Sequence, residues 1–547
     1  MVYEDRRHTE IASQLGVWQM RYKAIDTYGS ARSLFSSHLF VQIAILVLAI
    51  TASAGPLTPS ANKSDDVKKL IKQAGKLTRA GSLTEAEALL RQAAGLDTSR
   101  LDANIELAYV LTKQRRLKEA YDLAFAAANA DSKNSRAFAV LGATLVAAGR
   151  FKEARVILYN AIGLNKKEDL AWAWAGMLDY YENDIPESLE NLKAAVYYMP
   201  DEPDYRFSYA QVSARAENYQ DAASAYEEFL RISDIADVDR RARIKGLISF
   251  LRYLGNISGL YQAAGSDQTT VPFDLVGNRP VIRVRVNGKP EPLRFVLDTG
   301  SGISVVSEAT AKKMKIKPIT RGGFARGLGG DGKFEIVYGL LHDIRIGEVM
   351  LRNVPVYLRR FHSESQEVDG YIGLGLISKF LATVDYGDRK FILTKNVSGR
   401  NTAPPQSDVS LPLRLTSSGF LSGQVTLDGI DLPLNFIVDT GASVSVISTA
   451  VAKSSIISSF ANDEKLRVIG SAGITEEVPT FRLPKVSFGK IISNDVTAVA
   501  LNLDVINEAS GFEQAGILGG NVLKNYRLTF DFKNSKVTFL PIQPEQN

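Results

Sequence analysis

Residues 295–301 read FVLDTGS and residues 436–442 read FIVDTGA. In each, an apolar, β-prone run leads into Asp-Thr-Gly and then a small residue. The one group these stretches offer for chemistry is the carboxyl, on Asp298 in the first and on Asp439 in the second. Two carboxyls held close together cannot both ionise, so such a pair keeps one proton. The ionised member can take a proton from water while the protonated member gives one to a carbonyl oxygen. That is enough to hydrolyse an amide without a metal or a covalent nucleophile. Asp298 and Asp439 are therefore the candidate catalytic pair. Gly300 and Gly441, lacking a Cβ, would let backbone N–H groups approach the carboxylates.

The rest of the chain removes other chemistries. It has no Cys, which excludes disulfides, thiol nucleophiles and thiolate metal sites. Its four His are His8, His38, His342 and His362, none at metal-ligand spacing, so neither a metal nor another cofactor is expected. A net charge of +5 over 547 residues, with no concentrated basic stripe, gives no reason to expect nucleic acid.

The repeated phrase belongs to a longer duplication. Residues 284–307 lie over 425–448 without a gap, and 11 of the 24 positions are identical. Strand-like alternation surrounds a turn signal in each copy, Asn287-Gly288 and Asp428-Gly429, read as the same turn. About 30 residues past each Asp comes a glycine-rich hairpin tip. The first is Gly327-Leu328-Gly329-Gly330 and the second is Gly470-Ser471-Ala472-Gly473. Then follow Tyr371-Ile372-Gly373 and Ile517-Leu518-Gly519, and each copy ends in a strand–turn–strand, at 384–393 and 530–540. The units run over 271–395 and 409–542, joined by a Pro-containing linker at 396–408. Asp369, Asp385 and Asp531 fall in turn contexts and read as structural.

This ordered set resembles the aspartic protease superfamily, over roughly 270 residues. The short units and GLGG tip are most similar to its retropepsin-like branch, and two units in one chain resemble the two-lobed pepsin arrangement. The resemblance implies two tandem all-β lobes in a pseudo-dimer, an Asp298/Asp439 dyad, and an aspartic-type endopeptidase acting on a peptide or protein substrate. It also implies that Thr299 and Thr440 cross-link the catalytic turns, that Ser301 and Ala442 complete them, that the glycine-rich tips fold over substrate as flaps, and that Gly373 and Gly519 pack behind. Because Ser301 could donate to Asp298 and Ala442 cannot donate to Asp439, Asp439 is expected to hold the shared proton more of the time. Serine at position 442 should then lower the pH optimum. The alternative is a protease-like module that binds peptide or protein without cleaving it.

Residues 65–255 carry a different period. The pairs Glu85-Ala86, Glu119-Ala120, Glu153-Ala154, Glu187-Ser188 and Asp221-Ala222 recur every 34 residues. Small residues precede them at Ala74, Ala108, Gly142, Gly176 and Ala210, and follow at Ala93, Ala127, Ala161 and Ala195, with Phe229 breaking the last row. Paired helices approach closely only where one side chain is small, and one pair cannot bury its apolar face alone. Gly81, Gly149 and Asn218 read as turns between helices. The pattern resembles five tetratricopeptide repeats closed by a capping helix with a polar outer face at 236–254. The array would either recruit a substrate or partner protein on its concave face or act as a rigid spacer. Ahead of it, the apolar run Leu39–Ile50 follows Arg21, Lys23 and Arg32 and precedes Ala52-Ser53-Ala54. Residues 1–54 therefore read as a signal peptide or membrane anchor of an exported protein, periplasmic or secreted, with Met20 as an alternative start.

Overall fold

The computed structural model describes residues 60–234, 237–330, 332–362, 368–395 and 409–542, with only the backbone of 60–63. The export segment and the 396–408 linker lie outside the described residues. Among the described residues no helix is long and apolar enough to cross a membrane.

From Ser60–Ala80 to Val238–Gly255 the chain forms a helical repeat array, followed by two β-rich lobes. The array closes on its small residues. Ala74, Ala86, Ala108, Ala120, Ala154, Ser188, Ala210 and Ala222 are all fully buried. A Cβ on Gly142 would stand 2.6 Å from Leu158, and one on Gly176 would stand 2.7 Å from Leu192. The turns within successive helix pairs share one left-handed residue, at Gly81, Arg115, Gly149, Asn183 and Glu217 (φ 83°, 61°, 72°, 64° and 62°). In the last turn this position is Glu217, and Asn218 is the residue that enters the next helix.

The lobes are interlocked by backbone. Strand Phe380–Asp385 of the first pairs antiparallel with Tyr526–Asp531 of the second, Thr383 opposite Thr529 with their hydroxyls 3.0 Å apart. Together with the strands beside them, these belong to a 14-stranded sheet, and an 8-stranded sheet forms the rest of the second lobe. The first lobe also takes in strand Gln262–Gly265, ahead of residue 271, which pairs with residues 349–352. The two inter-strand turns are not the same. Asn287 and Gly288 are both left-handed, whereas in the second lobe only Gly429 is. Asp385 and Asp531 end their strands by accepting turn N–H groups, and Asp369 accepts from the Arg294 N–H and the Thr310 hydroxyl.

Helix Val238–Gly255 exposes Asp239, Lys245 and Ser249 on one face and buries a second, apolar stripe against the first lobe. Its Phe250 stacks on Tyr338 of the first lobe at 4.4 Å, and Gly246 lies so close to Gly322 that a Cβ would stand 2.4 Å from its Cα. The turns of the array also seat both lobes. Phe512 of the second lobe is fully buried in the array core, 4.9 Å from Phe151 and 5.0 Å from Tyr181 between ring centroids. The Glu513 N–H donates to Ala147 O at 2.8 Å, Asn183 donates to Phe532 O at 3.2 Å, and Glu217 pairs with Lys379 of the first lobe.

Candidate active site

Each DTG follows an inward strand, Leu293–Leu297 or Leu434–Val438. Each strand is clamped by a parallel partner, Gly370–Ile372 or Gly516–Leu518. The partner fixes the Asp backbone: the N–H of Asp298 donates to Ile372 O and that of Asp439 to Leu518 O, both at 3.0 Å. Gly373 and Gly519 follow directly. A Cβ on either would lie within 2.7 Å of the backbone at Ile303 or Val444, so a side chain there would push against the loop after the catalytic turn.

The threonines join the two turns reciprocally. Thr299 Oγ1 donates to Val438 O and Thr440 Oγ1 to Leu297 O, each at 2.7 Å. Each hydroxyl also accepts the other's backbone N–H, at 3.2 and 3.0 Å. Both threonines are fully buried, so loss of any of these bonds would strand a polar group without water.

This lattice brings Asp298 and Asp439 face to face, within side-chain hydrogen-bond reach and half-buried. The glycines are exchanged across the pair. A Cβ on Gly300 would stand 2.4 Å from the Asp439 carboxyl, and one on Gly441 would stand 2.7 Å from that of Asp298. Burial raises the pKa of both carboxyls, but their surroundings differ. Asp439 accepts the Gly441 N–H at 2.7 Å, which with the facing Asp298 favours its anion. Asp298 has the Gly300 N–H at 3.0 Å and otherwise confronts the Asp439 charge. The pair therefore keeps one proton between its two carboxyls, with Asp298 held well above the ordinary carboxylate range by burial and by the facing Asp439 charge. The expectation from Ser301 fails for a local reason. Its hydroxyl donates to Ile303 O at 2.7 Å and so turns away from Asp298.

The glycine-rich tips meet each other. Ala472 N–H donates to Leu328 O at 2.7 Å, Gly330 N–H to Ile474 O at 3.2 Å, and the Ser471 hydroxyl accepts from the Leu328 N–H at 3.1 Å. Gly329 and Gly473 take positive φ angles at this junction, where a Cβ on Gly329 would stand 2.2 Å from Gly473 O. Gly327 and Gly470 lie equally close to the opposite tip. Leu328 packs with Ala442 in one apolar cluster, so the first tip reaches over the second catalytic turn.

Sequence reasoning missed Arg359, Tyr371 and Arg279 on the first-lobe side of the pair. Arg359 acts on the Asp298 charge and lies 3.9 Å over the Phe334 ring, while Tyr371 senses both Arg359 and Asp298. The only signal for Arg359 was a basic residue ending an apolar strand, which is also what an ordinary strand end looks like.

A model of the aspartyl protease family matches residues 282–376 and 423–522, one stretch in each lobe and each containing its DTG. No curated protein matches the chain. Among solved structures it is similar to an aspartic proteinase from Irpex lacteus, at 14% identity and TM-score 0.35 over 50% of this chain and 98% of that one. It is also similar to pilF of Pseudomonas aeruginosa, at 19% identity and TM-score 0.27 over 36% and 89% of the two chains. A thermophilic TPR protein of Thermus thermophilus aligns at 18% identity and TM-score 0.30 over 33% and 98%.

Proposed function

From two tandem aspartyl-protease-like stretches whose carboxyls meet, we propose that the protein is an aspartic-type endopeptidase that cuts peptide bonds with water activated by the Asp298/Asp439 dyad. The observation that carries this reading is the exchange of glycines across two facing carboxyls. It leaves both carboxyls facing one point from opposite lobes, where a water held between them can attack a carbonyl carbon.

In this reading Asp439, the anion, takes a proton from the water as its oxygen attacks the carbonyl carbon. Asp298 gives its proton to the carbonyl oxygen, producing an uncharged tetrahedral diol. Return of the proton from the diol to Asp298 and delivery of the Asp439 proton to the nitrogen break the C–N bond. Both carboxyls then hold their starting states. The tips around Gly327–Gly330 and Gly470–Gly473 must part to admit an extended peptide and close on it with backbone hydrogen bonds. The same proposal includes an exported protein, on the strength of the basic flank and apolar run ahead of the array, and an array that recruits a substrate or partner protein. Tyr197, 80% exposed, is one apolar group such a partner would meet.

The test is hydrolysis of a mixed peptide library by the full chain across about pH 3–8, beside Asp298→Asn and Asp439→Asn. Cleavage by the wild type and loss of at least about a thousandfold in both variants is expected. Cleavage that survives either substitution would overturn the shared dyad.

A further inference from the structure

The two lobes can be compared position by position, because strand register fixes the equivalences. Ser307 pairs with Arg359 in the first lobe, and its duplicate Ser448 pairs with Leu501 in the second. Val296 pairs with Tyr371, and its duplicate Ile437 with Ile517. Ile282 faces Phe295 as Gly423 faces Phe436, which sets Arg279 against Phe420. A near-twofold frame therefore carries Arg, Tyr and Arg on one side and Leu, Ile and Phe on the other.

The second-lobe residues form a continuous apolar surface. Leu501, Ile517 and Phe420 gather with Val499 and Leu503, and the same cluster includes Ala442 of the catalytic turn and Leu328 of the opposing tip. That surface runs from catalytic turn to flap, and its chemistry suits an apolar side chain.

The first-lobe wall is built for the opposite. The Arg359 guanidinium lies 3.9 Å over the Phe334 ring at the base of the first tip, and its charge acts on the Asp298 carboxyl. Its Nε is buried without a hydrogen-bond partner among the described residues. Burial holds the guanidinium below its usual range, with Tyr371 and Asp298 the groups that oppose this. Arg279 adds a second cation to the same wall: its Nε donates to Val276 O at 3.3 Å and it also reaches Tyr371. A buried cation with an unpartnered nitrogen, as at Arg359, is costly, and its stacked guanidinium keeps an edge for a two-point bond to a carboxylate.

We infer that Arg359 is a specificity-determining residue. It selects a substrate with an Asp or Glu side chain at the subsite walled by the first lobe, while the second lobe takes an apolar residue across the scissile bond. The inference rests on the endopeptidase reading for which bond is cut, but not for what the wall binds. The cation also offsets the repulsion that a substrate carboxylate would meet from the single negative charge of the dyad.

The experiment compares peptides that differ only by Glu or Gln at each position flanking the cleaved bond. The full chain is assayed as wild type, Arg359→Leu, Arg359→Lys and Leu501→Arg. In the wild type, one position on one side is expected to favour Glu by roughly tenfold to a hundredfold in kcat/KM. Arg359→Leu should bring that ratio near one, Arg359→Lys should keep part of it, and Leu501→Arg should create a Glu preference on the other side of the bond. A wild type that cleaves without any Glu preference, or an Arg359→Leu variant that keeps it, overturns the inference and leaves the protease reading standing. If the wild type cleaves nothing, the protease reading falls, and the Glu/Gln ratio of binding affinities for the same proteins decides the inference instead.

Discussion

Ser301 and Ala442 differ by one hydroxyl at equivalent places beside the two carboxyls, and that hydroxyl is spent on Ile303 O. Each carboxyl accepts a backbone N–H from its own turn instead, Gly300 to Asp298 at 3.0 Å and Gly441 to Asp439 at 2.7 Å. The proposed hydrolysis requires the one-proton state. Both pKa values are raised, so the acid limb, where Asp439 becomes protonated, moves above the ordinary carboxylate value. The basic limb, where Asp298 loses its proton, moves further up still. The pH profile of kcat/KM should thus be a bell displaced toward neutrality. Ser301→Ala and Ala442→Ser should each leave both limbs within about 0.3 pH unit, since neither adds or removes a bond to a carboxyl. A clear acid shift on Ala442→Ser would restore the hydroxyl as the tuning group.

At the scale of elements, the sequence made legible whatever sterics dictates locally. The 34-residue period could be read because helices that touch at Ala86, Ala120 or Ser188 tolerate nothing larger. The lobe fold could be read because the Asp-Thr-Gly turn and the later Gly373 and Gly519 answer close backbone approaches. Tertiary partners hid the rest. Arg115, Asn183 and Glu217 adopt left-handed turns without being glycine, and Asn183 and Glu217 there bond to a lobe. Arg359 sits on a strand aligned with that of Leu501, but the pairing appears only once both registers are known. Helix Val238–Gly255 looked like a cap because its second apolar stripe, Phe250 and Leu254, is interleaved with charge; in the fold that stripe meets Tyr338 and Leu340. The helix thereby braces strand Thr320–Arg326, the outer strand of the first flap. Arg243 Nη1 donates to Phe324 O at 2.9 Å, and Gly246 allows backbone contact at Gly322. Gly246→Ala should wedge this seam open at a cost of about 1–3 kcal/mol. Amide hydrogen exchange of residues 320–326 should quicken while the distal repeats keep their protection. Unchanged exchange there would mean that the helix merely lies beside the flap.

At the scale of the molecule, the array behaves as part of the lobes' core. The Phe512 ring from the second lobe completes an aromatic cluster with Phe151 and Tyr181, and Arg414 stands over Phe151 at 4.8 Å while pairing with Glu182. The other lobe is held by the cap helix and by the Glu217–Lys379 pair. A rigid array touching both lobes limits how far they can separate, so in the proposed reaction opening for substrate falls to the glycine-rich tips. The wild type should accordingly melt in one transition seen alike by helical and β-sheet signals. Phe512→Ala removes a fully buried ring from the seam and should cost about 3–5 kcal/mol, because the helix backbone around the hole cannot collapse freely. Because that loss falls on the contact between array and lobe, not on either core alone, calorimetry of the variant should resolve two transitions where the wild type gives one. A single transition at nearly the wild-type temperature would show that the array and lobes are coupled through other contacts and that Phe512 only fills space.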